Sequence, residues 1–154
     1  MNKKKILPIA LVVLPLAAMR VAFMPNAVKY LYPSGEAVYM TYFGMVEDVK
    51  TAACMPATVI TIGITIFFAM AWSLSSKGYW LKAVSGPSFA SALLAVVPSL
   101  TSDEIQVRPN VLVPILMMTE WLIAYVLGKD VETASDKKEK GRRLGKNCQK
   151  NTFL

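Results

Sequence analysis

The sequence predicts an all-α integral membrane protein with four transmembrane helices and both termini in the cytoplasm. Three observations support this fold class: four long apolar runs, an uneven distribution of basic residues between their connecting segments, and an apolar content of 55%. The mean hydropathy of +0.44 is high for a soluble domain. Helices are expected because backbone groups in lipid must pair within their own segment, and four runs are too few to close a barrel.

The four apolar runs cover residues 6–24, 52–74, 83–100 and 111–127. Each is close to the roughly 17–25 residues that a helix needs to cross the hydrocarbon core. The first run contains Arg20, the second contains no charged residue, the third is rich in small residues, and the fourth contains Glu120. We therefore assign residues 1–128 to one transmembrane domain, with an outer loop at 25–51.

The first run has a second interpretation, as a cleaved signal peptide, because the lysines at 3–5 precede a short apolar stretch. Arg20 lies near its end, and no clear small-x-small cleavage site follows it. Both features favour a retained helix.

Basic residues predict the orientation of the spans. Thirteen of the seventeen lysines and arginines lie before the first run, between the second and third runs, or after the fourth. Only Lys29, Lys50 and Arg108 lie in the other connecting segments. Because positive charge resists translocation, both termini are expected on the cytoplasmic side of a bacterial inner or plasma membrane.

The outer loop combines a turn sequence with many aromatic residues. Pro-Ser-Gly-Glu at 33–36 favours a tight turn, and its flanks are rich in β-forming residues, so a short hairpin or a compact cap is expected. The candidate recognition residues are Tyr30, Tyr32, Tyr39 and Tyr42. They are consistent either with an aromatic belt at the membrane boundary or with a surface that contacts a partner or ligand.

The C-terminal segment 129–154 carries eight basic and four acidic residues and no aromatic residue before Phe153. This composition predicts a disordered basic tail in the cytoplasm. Such a tail is attracted to anionic lipid headgroups. Since the net charge of +7 is explained by this tail and by orientation, we expect no nucleic-acid partner.

Small residues recur along the second and third runs at helical spacing. The candidate packing residues are Thr58, Thr61 and Thr65 in the second run and Ser85, Ser88 and Ala92 in the third. In lipid, small residues let helix backbones approach closely. We expect the two stripes to face each other or the centre of the bundle, with hydroxyl groups bonded to their own helix carbonyls. The alternative is a hydroxyl-lined path for a polar solute.

Arg20 and Glu120 are the candidate intramembrane functional residues, because charge within a span is expensive. Arg20 lies close enough to the outer interface to extend towards it, and a pair with Glu120 is at the limit of side-chain reach. Glu120 lies near the middle of its span. It is interpreted either as a protonated group bonded to a neighbouring helix or as a binding group coupled to protons or cations.

The composition excludes several kinds of chemistry. The chain has no histidine, which removes Ser-His-Asp and Cys-His catalysis and histidine-bearing zinc sites. Neither cysteine belongs to a CxxC motif, and no phosphate-binding loop is present. We expect no catalytic residue, cofactor or metal. A lipid-modifying enzyme would require the outer carboxylates to gather, and these are Glu47, Asp48, Asp103 and Glu104.

Two functional hypotheses remain. The first is a non-enzymatic accessory or regulatory subunit that acts through helix–helix contacts with a membrane-protein partner or with further copies of itself. The second is a small oligomeric transporter that uses Glu120 for proton or cation exchange. Small multidrug exporters are similar in span number, but their essential glutamate lies in the first span, where this chain has Arg20.

Overall fold

The structure, a computed structural model, describes residues 3–44, 53–75, 78–101 and 105–150, with side chains described for 6–44, 53–75, 78–101 and 105–131. The four helices are α1 (Lys3–Ala22), α2 (Cys54–Ser75), α3 (Gly78–Thr101) and α4 (Leu112–Lys150). The three strands are β1 (Val28–Leu31), β2 (Ala37–Met40) and β3 (Gln106–Pro109). The fold is therefore mostly helical, with a small sheet.

Three helical segments are long and apolar enough to cross a membrane: α2, α3 and the Leu112–Val131 part of α4. The apolar part of α1, Ile6–Ala22, is shorter. Large apolar side chains point outward on the helices, including Ile9, Phe67 and Leu122. An apolar exterior of this kind suits lipid rather than water as the surrounding solvent, which is consistent with an integral membrane protein.

Each helix packs against its neighbours in the sequence. The α2–α3 and α3–α4 contacts are the most extensive, and α1 contacts both α2 and α4. Among the described residues, the diagonal pairs α1–α3 and α2–α4 do not pack directly. In the described residues the helix contacts thus follow a ring, α1–α2–α3–α4–α1.

A three-stranded antiparallel sheet, in the order β2-β1-β3, lies at one end of this ring. Tyr30 in the central strand is opposite Val38 on one side and Val107 on the other. The turn at 33–36 joins β1 to β2. Two backbone hydrogen bonds close this turn. The Gly35 N–H donates to the Tyr32 carbonyl and the Tyr32 N–H donates to the Glu36 carbonyl, both at 2.9 Å. Gly35 has φ of 84°, a conformation that favours glycine.

The sheet corrects the all-α prediction. The hairpin comes from the outer loop, where a hairpin or cap was expected. However, the third strand comes from the segment between α3 and α4. Its sequence, Gln-Val-Arg-Pro, is short, polar and ends in proline, so it has little strand signal of its own. It is a strand because β1 offers a second edge for pairing, which is a tertiary effect.

Backbone hydrogen bonds connect the sheet to the helices. Tyr42 donates its N–H to the Ala22 carbonyl at the end of α1 at 3.0 Å, and Asn110 donates its N–H to the Ala27 carbonyl at 2.7 Å. The Asn110 side chain accepts a hydrogen bond from the Leu112 N–H at 3.0 Å and so caps the start of α4. The sheet is therefore attached to two helix termini. We call this end of the bundle the sheet end and the opposite end, where α1 begins, the terminal end.

The buried apolar residues form two separate clusters along the bundle. The sheet-side cluster contains helix and strand residues: Ala18, Ala22, Ala27, Val28, Tyr30, Tyr42, Met55, Val59, Ile62, Ala92, Ala95, Ile105, Val107, Val113 and Met117. The terminal-side cluster is smaller and contains Leu11, Ala69, Leu81, Val84 and Ala124. A bundle of this length could have one continuous core. The break between the clusters therefore draws attention to the residues that lie between them.

The last helix differs from the sequence prediction. Its backbone is helical to Lys150, whereas a disordered tail was expected from residue 129. The prediction relied on the high charge of the segment, whereas its six lysines and two arginines up to residue 150 are also residues that favour helix. A helix that already exists in the span extends without a new nucleation step, so moderate propensity is sufficient to continue it.

Candidate functional site

Glu120 lies on the face of α4 that points into the bundle. This face is formed by Val113, Met117, Glu120 and Ala124. They follow one another at intervals of four, three and four residues, each close to one helical turn. The side chain of Glu120 is 0% exposed. A position of this kind in a helix seam is normally apolar, so a carboxyl group here needs an explanation.

Residues from the other three helices lie at the same level as Glu120. We identify these residues from the two apolar clusters, because each helix leaves one cluster and enters the other at this level. The flanking pairs are Leu11 and Ala18 on α1, Ala69 and Ile62 on α2, Val84 and Ala92 on α3, and Ala124 and Met117 on α4. Between them lie five buried residues, Pro15, Thr65, Ser88, Ser91 and Glu120, and we call four of these the polar layer: Pro15, Thr65, Ser88 and Glu120. Each helix contributes one residue to it.

Hydroxyl groups in the polar layer are already satisfied within their own helices. Thr65 donates to the Thr61 carbonyl at 2.9 Å, and Ser88 donates to the Val84 carbonyl at 2.8 Å. Ser88 is close enough to Glu120 to interact with it, but its proton points to Val84. Consequently both carboxyl oxygens of Glu120 lack a hydrogen-bond partner among the described residues.

The oxygen atoms of the polar layer determine which species it suits. Its acceptors are the Glu120 carboxyl oxygens and the lone pairs of the Thr65 and Ser88 hydroxyl oxygens. Pro15 has no N–H to donate to the Leu11 carbonyl, which leaves a further acceptor on α1. Within the described part of the chain, no three Asp, Glu, Cys or His side chains lie together as a metal site would require. One carboxylate with neutral oxygens suits a proton or a monovalent cation.

Arg20, the other intramembrane candidate, lies in the last turn of α1 and is exposed. It forms no ion pair with Glu120, because neither carboxyl oxygen of Glu120 has a partner in the described residues. The two residues occupy different levels, Arg20 near the sheet end and Glu120 in the polar layer. The carboxylates that a lipid-modifying enzyme would require lie outside the described residues: Glu47, Asp48, Asp103 and Glu104.

The small-residue stripes of α2 and α3 meet at the contact between these helices. Thr58, Thr65 and Ser88 are fully buried, and Ala92 is nearly so. A direct contact crosses between the helices, since the Ser91 hydroxyl shares its proton between Thr61 Oγ1 and the Pro87 carbonyl of its own helix, both at 2.8 Å.

Hydroxyl groups along these stripes donate mainly to carbonyls of their own helix. Thr58 donates to Cys54 at 2.7 Å, and Thr61 donates to Ala57 at 3.0 Å. Ser85 lies apart from the others, nearer the terminal end, where it donates to the Lys82 carbonyl at 2.9 Å. The geometry is that of helix packing rather than of an open hydroxyl-lined path.

The four outer tyrosines separate into two pairs. Tyr30 and Tyr42 are fully buried in the sheet-side cluster, so they cannot contact a partner directly, whereas Tyr39 is 55% exposed and Tyr32 is half-buried. Burial raises the pKa of the Tyr42 hydroxyl far above its ordinary value of 10.0, with a smaller contribution from Tyr30. Of the proposed recognition residues, Tyr39 and Tyr32 remain accessible.

Two features were missed in the sequence. Gly86 is exposed on α3, and a Cβ built there would have open space around it. Together with Ala90 it forms a Gly-x-x-x-Ala pair, a pattern of close helix contacts that was visible in the sequence. The second feature is a pocket between α3 and α4 near Lys82 and Lys129. These lysines lie far apart in the sequence, and only the fold brings them together.

No family model matches the chain, and comparison with curated proteins and with solved structures also finds no match.

Proposed function

We propose that this chain is a non-enzymatic multi-pass membrane protein in which Glu120 exchanges a proton or a monovalent cation as part of transport. It crosses a bacterial inner or plasma membrane four times, because α1 is a span in addition to α2, α3 and the first part of α4. Residues 1–128 form the transmembrane domain. The basic residues concentrated at the terminal end support a cytoplasmic location for both termini, and the sheet then lies outside.

The observation that carries this proposal is the complete burial of Glu120 without a hydrogen-bond partner among the described residues. An unsatisfied buried polar group destabilises a fold, and a structural carboxyl group would be expected to bond a neighbouring helix. Within the described part of the chain neither oxygen of Glu120 has a hydrogen-bond partner, and the Ser88 hydroxyl that interacts with Glu120 donates to the Val84 carbonyl. Its oxygens are therefore available to a ligand, and the Thr65 and Ser88 oxygens lie at the same level.

The helix contacts change the balance between the two functional hypotheses. The accessory-subunit hypothesis relied on small-residue stripes that could recruit other helices. In the fold these stripes pack against each other, as the bond between Ser91 and Thr61 illustrates. Because Thr58, Thr65, Ser88 and Ala92 are buried within the chain, this part of the stripes offers no surface to a partner. Glu120 keeps its unexplained position, which favours transport.

The test is flux through liposomes that contain the purified full chain. Wild-type protein is expected to carry protons, followed with an internal pH-sensitive dye, or Na⁺ or K⁺, followed with ion-sensitive dyes. Glu120→Gln keeps the shape of the side chain but cannot exchange a proton or hold a cation, so flux should fall to the level of empty liposomes. Glu36→Gln, in the exposed turn between β1 and β2, is the matched control and should leave flux unchanged.

Equal flux in the wild type and in Glu120→Gln would reject Glu120 as the exchange group. Flux of all these ions at the level of empty liposomes in the wild type would reject transport itself. Normal insertion of the variant, checked by size-exclusion elution and circular dichroism, separates a functional loss from a folding defect.

The second candidate function, an accessory subunit, is favoured by one observation of its own. Gly86 and Ala90 form a small-residue face on α3, and Gly86 is exposed with open space around it. In lipid, such a face allows a helix of another protein or of a second copy to approach closely. The same contact would provide the oligomer expected of a small transporter.

This second candidate is tested by the mass of the purified full chain in mild detergent. Gly86→Leu should convert an oligomer or a partner complex into a monomer, because the larger side chain prevents close approach. Ser73→Leu, an exposed small-to-large change on α2, is the control and should leave the mass unchanged. A wild-type chain that is monomeric and stable without a partner would contradict the candidate.

A further inference from the structure

The two edges of the sheet differ in how they are protected against pairing with another strand. Charge and proline are common protection at a sheet edge, because proline has no N–H to donate. The β3 edge has both, in Arg108 and Pro109, and it packs against α3. Val107 in the same strand already has an interaction partner. The β2 strand reads Ala-Val-Tyr-Met, with neither charge nor proline, and among the described elements it packs only on β1. We call the outer side of β2 the open edge.

Backbone groups at the open edge can be assigned from the register of the hairpin. The bond from the Tyr32 N–H to the Glu36 carbonyl shows that Glu36 faces β1, as does every second residue after it. Ala37 and Tyr39 therefore direct their N–H and C=O groups away from β1. In the described structure these groups have no hydrogen-bond partner. Both side chains are exposed as well, so a strand that approaches this side meets unpaired backbone groups.

The same edge of a second copy can pair with all of these groups. If two β2 strands run antiparallel with Val38 opposite Val38, Ala37 of each copy faces Tyr39 of the other. Each facing pair exchanges two N–H···O bonds, so every outward-facing group of both copies is used. A register with Tyr39 opposite Tyr39 would place Thr41 opposite Ala37. The Thr41 carbonyl already accepts a bond from the Gly44 N–H at 2.9 Å, which favours the register centred on Val38.

Side chains of β2 are compatible with this register on both faces of the sheet. On the outer face the small Ala37 side chain would lie beside the ring of Tyr39, which is 55% exposed in one copy. On the inner face Val38 already packs against the sheet-side cluster, and it would also contact Val38 of the second copy. Lys29, whose Nζ lies 5.6 Å from the centre of the Tyr39 ring, is on the next strand. The two Lys29 side chains would be three strand spacings apart, at least about 14 Å, where salt screens their repulsion.

The symmetry of this contact is suitable for a membrane protein. An antiparallel pair of identical strands has its two-fold axis perpendicular to the sheet. One face of the sheet, with Val28 and Tyr30, packs on the helices in the sheet-side cluster, so this axis runs along the bundle. Two copies related by it point the same way along the bundle axis. Two copies inserted under the same charge bias have this relation.

We propose that the open edge is a dimer contact, at which a second copy of this chain adds its own β2 in the register centred on Val38. The edge is four residues long, which suits a strand of the same length. Because the contact is self-complementary, it closes on two copies and leaves no β2 edge for a third. It lies in the sheet and is separate from the Gly86 and Ala90 face of α3. It does not depend on the function proposed for Glu120.

Disulfide cross-linking of the full chain in membranes tests the register. Cys54→Ser and Cys148→Ser remove the native thiols, and Val38→Cys then places one thiol of each copy beside the two-fold axis. Residues that face each other without mutual hydrogen bonds have Cα atoms about 4.5 Å apart, within the range of a disulfide. Mild oxidation should therefore convert most of the chain into a covalent dimer. Gln106→Cys in β3 is the matched control, because its two copies would lie five strand spacings, about 24 Å, apart and should not cross-link.

Two substitutions of Ala37 test the backbone bonds. Ala37→Pro removes an outward N–H and places its ring where the second strand would lie, while the N–H groups that pair with β1 remain. Energy transfer between labelled copies in mild detergent gives the dissociation constant of the dimer. Ala37→Pro should raise it by at least about tenfold, because each facing pair loses one bond. Ala37→Thr keeps the N–H and should change it by less than about threefold. Melting temperatures confirm that both variants fold.

Three results would overturn the proposal. If oxidation leaves Val38→Cys monomeric, the open edge of one copy does not face that of another, and a different segment or protein covers it. Equal cross-linking of Val38→Cys and Gln106→Cys would show random collision rather than a defined register. A dimer that persists in Ala37→Pro and is lost in Gly86→Leu would assign the contact between copies to α3.

Discussion

Replacement of Glu120 by methionine is expected to stabilise the protein while it removes the proposed function. The two side chains have similar length and volume, so methionine can occupy the same space in the polar layer without a cavity. Glu120 is 0% exposed, and both of its oxygens lack a partner in the described residues. The substitution therefore removes a buried polar group and breaks no described hydrogen bond.

The size of the effect follows from the cost of an unsatisfied buried group. Such a group costs about 1–3 kcal/mol relative to a satisfied or apolar one. Methionine also adds a polarisable apolar chain that packs well in irregular spaces. We therefore expect the free energy of unfolding of Glu120→Met to rise by about 1–3 kcal/mol, although most core substitutions lower it.

Reversible unfolding of the full chain in mixed micelles, as the denaturing detergent fraction is increased, provides the measurement. Glu36→Met is the control, because Glu36 is exposed in the turn and its replacement should change stability by less than about 0.5 kcal/mol. A loss of more than about 1 kcal/mol in Glu120→Met would refute the reasoning, since it would mean that the carboxyl group has a stabilising partner. Comparison of the stability of Glu120→Met with the flux of Glu120→Gln then separates the effect of Glu120 on transport from its effect on stability.

Three further predictions concern the helix contact and the sheet. Thr61→Val removes the bond from Ser91, whereas Thr58→Val breaks only an intrahelical bond. Thr61→Val should therefore lower the free energy of unfolding by about 0.6 kcal/mol more than Thr58→Val, and equal losses would contradict this. Protease resistance of the sheet should fall from about pH 10 upward, because the tyrosine pKa of the unfolded sheet lies near 10 and the pKa of buried Tyr42 lies higher. Tyr42→Phe should reduce this sensitivity, and an unchanged profile would refute the prediction. Gly35→Ala should lower the melting temperature of the sheet because it costs about 1 kcal/mol at positive φ, and no change would contradict that cost.

The positions of the helices were largely predictable from composition. The second run, 52–74, corresponds closely to Cys54–Ser75, because an uncharged apolar stretch has one stable form in lipid. The third helix begins at Gly78, well before the predicted residue 83. The prediction counted Lys82 among the basic residues between the second and third runs, although lysine is well accommodated at a helix end when its ammonium group reaches water or headgroups.

The candidate site was only partly predictable. That Glu120 is buried in the middle of a span follows from the sequence, since a carboxyl group breaks an otherwise apolar run. That it has no partner does not follow, because this depends on where Ser88 directs its proton. The burial of Tyr30 and Tyr42 was hidden for a similar reason. A strand pattern gives alternation, but only the packing of the sheet on the helices shows which face is covered.

The length of α4 has a mechanical consequence. Because the helix is continuous from the bundle to Lys150, Glu120 and the end of the helix belong to one rod, about 45 Å apart at a rise of about 1.5 Å per residue. A tilt of about 5° around the polar layer would displace that end by about 4 Å, which is a large movement compared with the size of an ion. Under the function we propose, a change at a single buried carboxyl group would in this way be transmitted to the far end of α4.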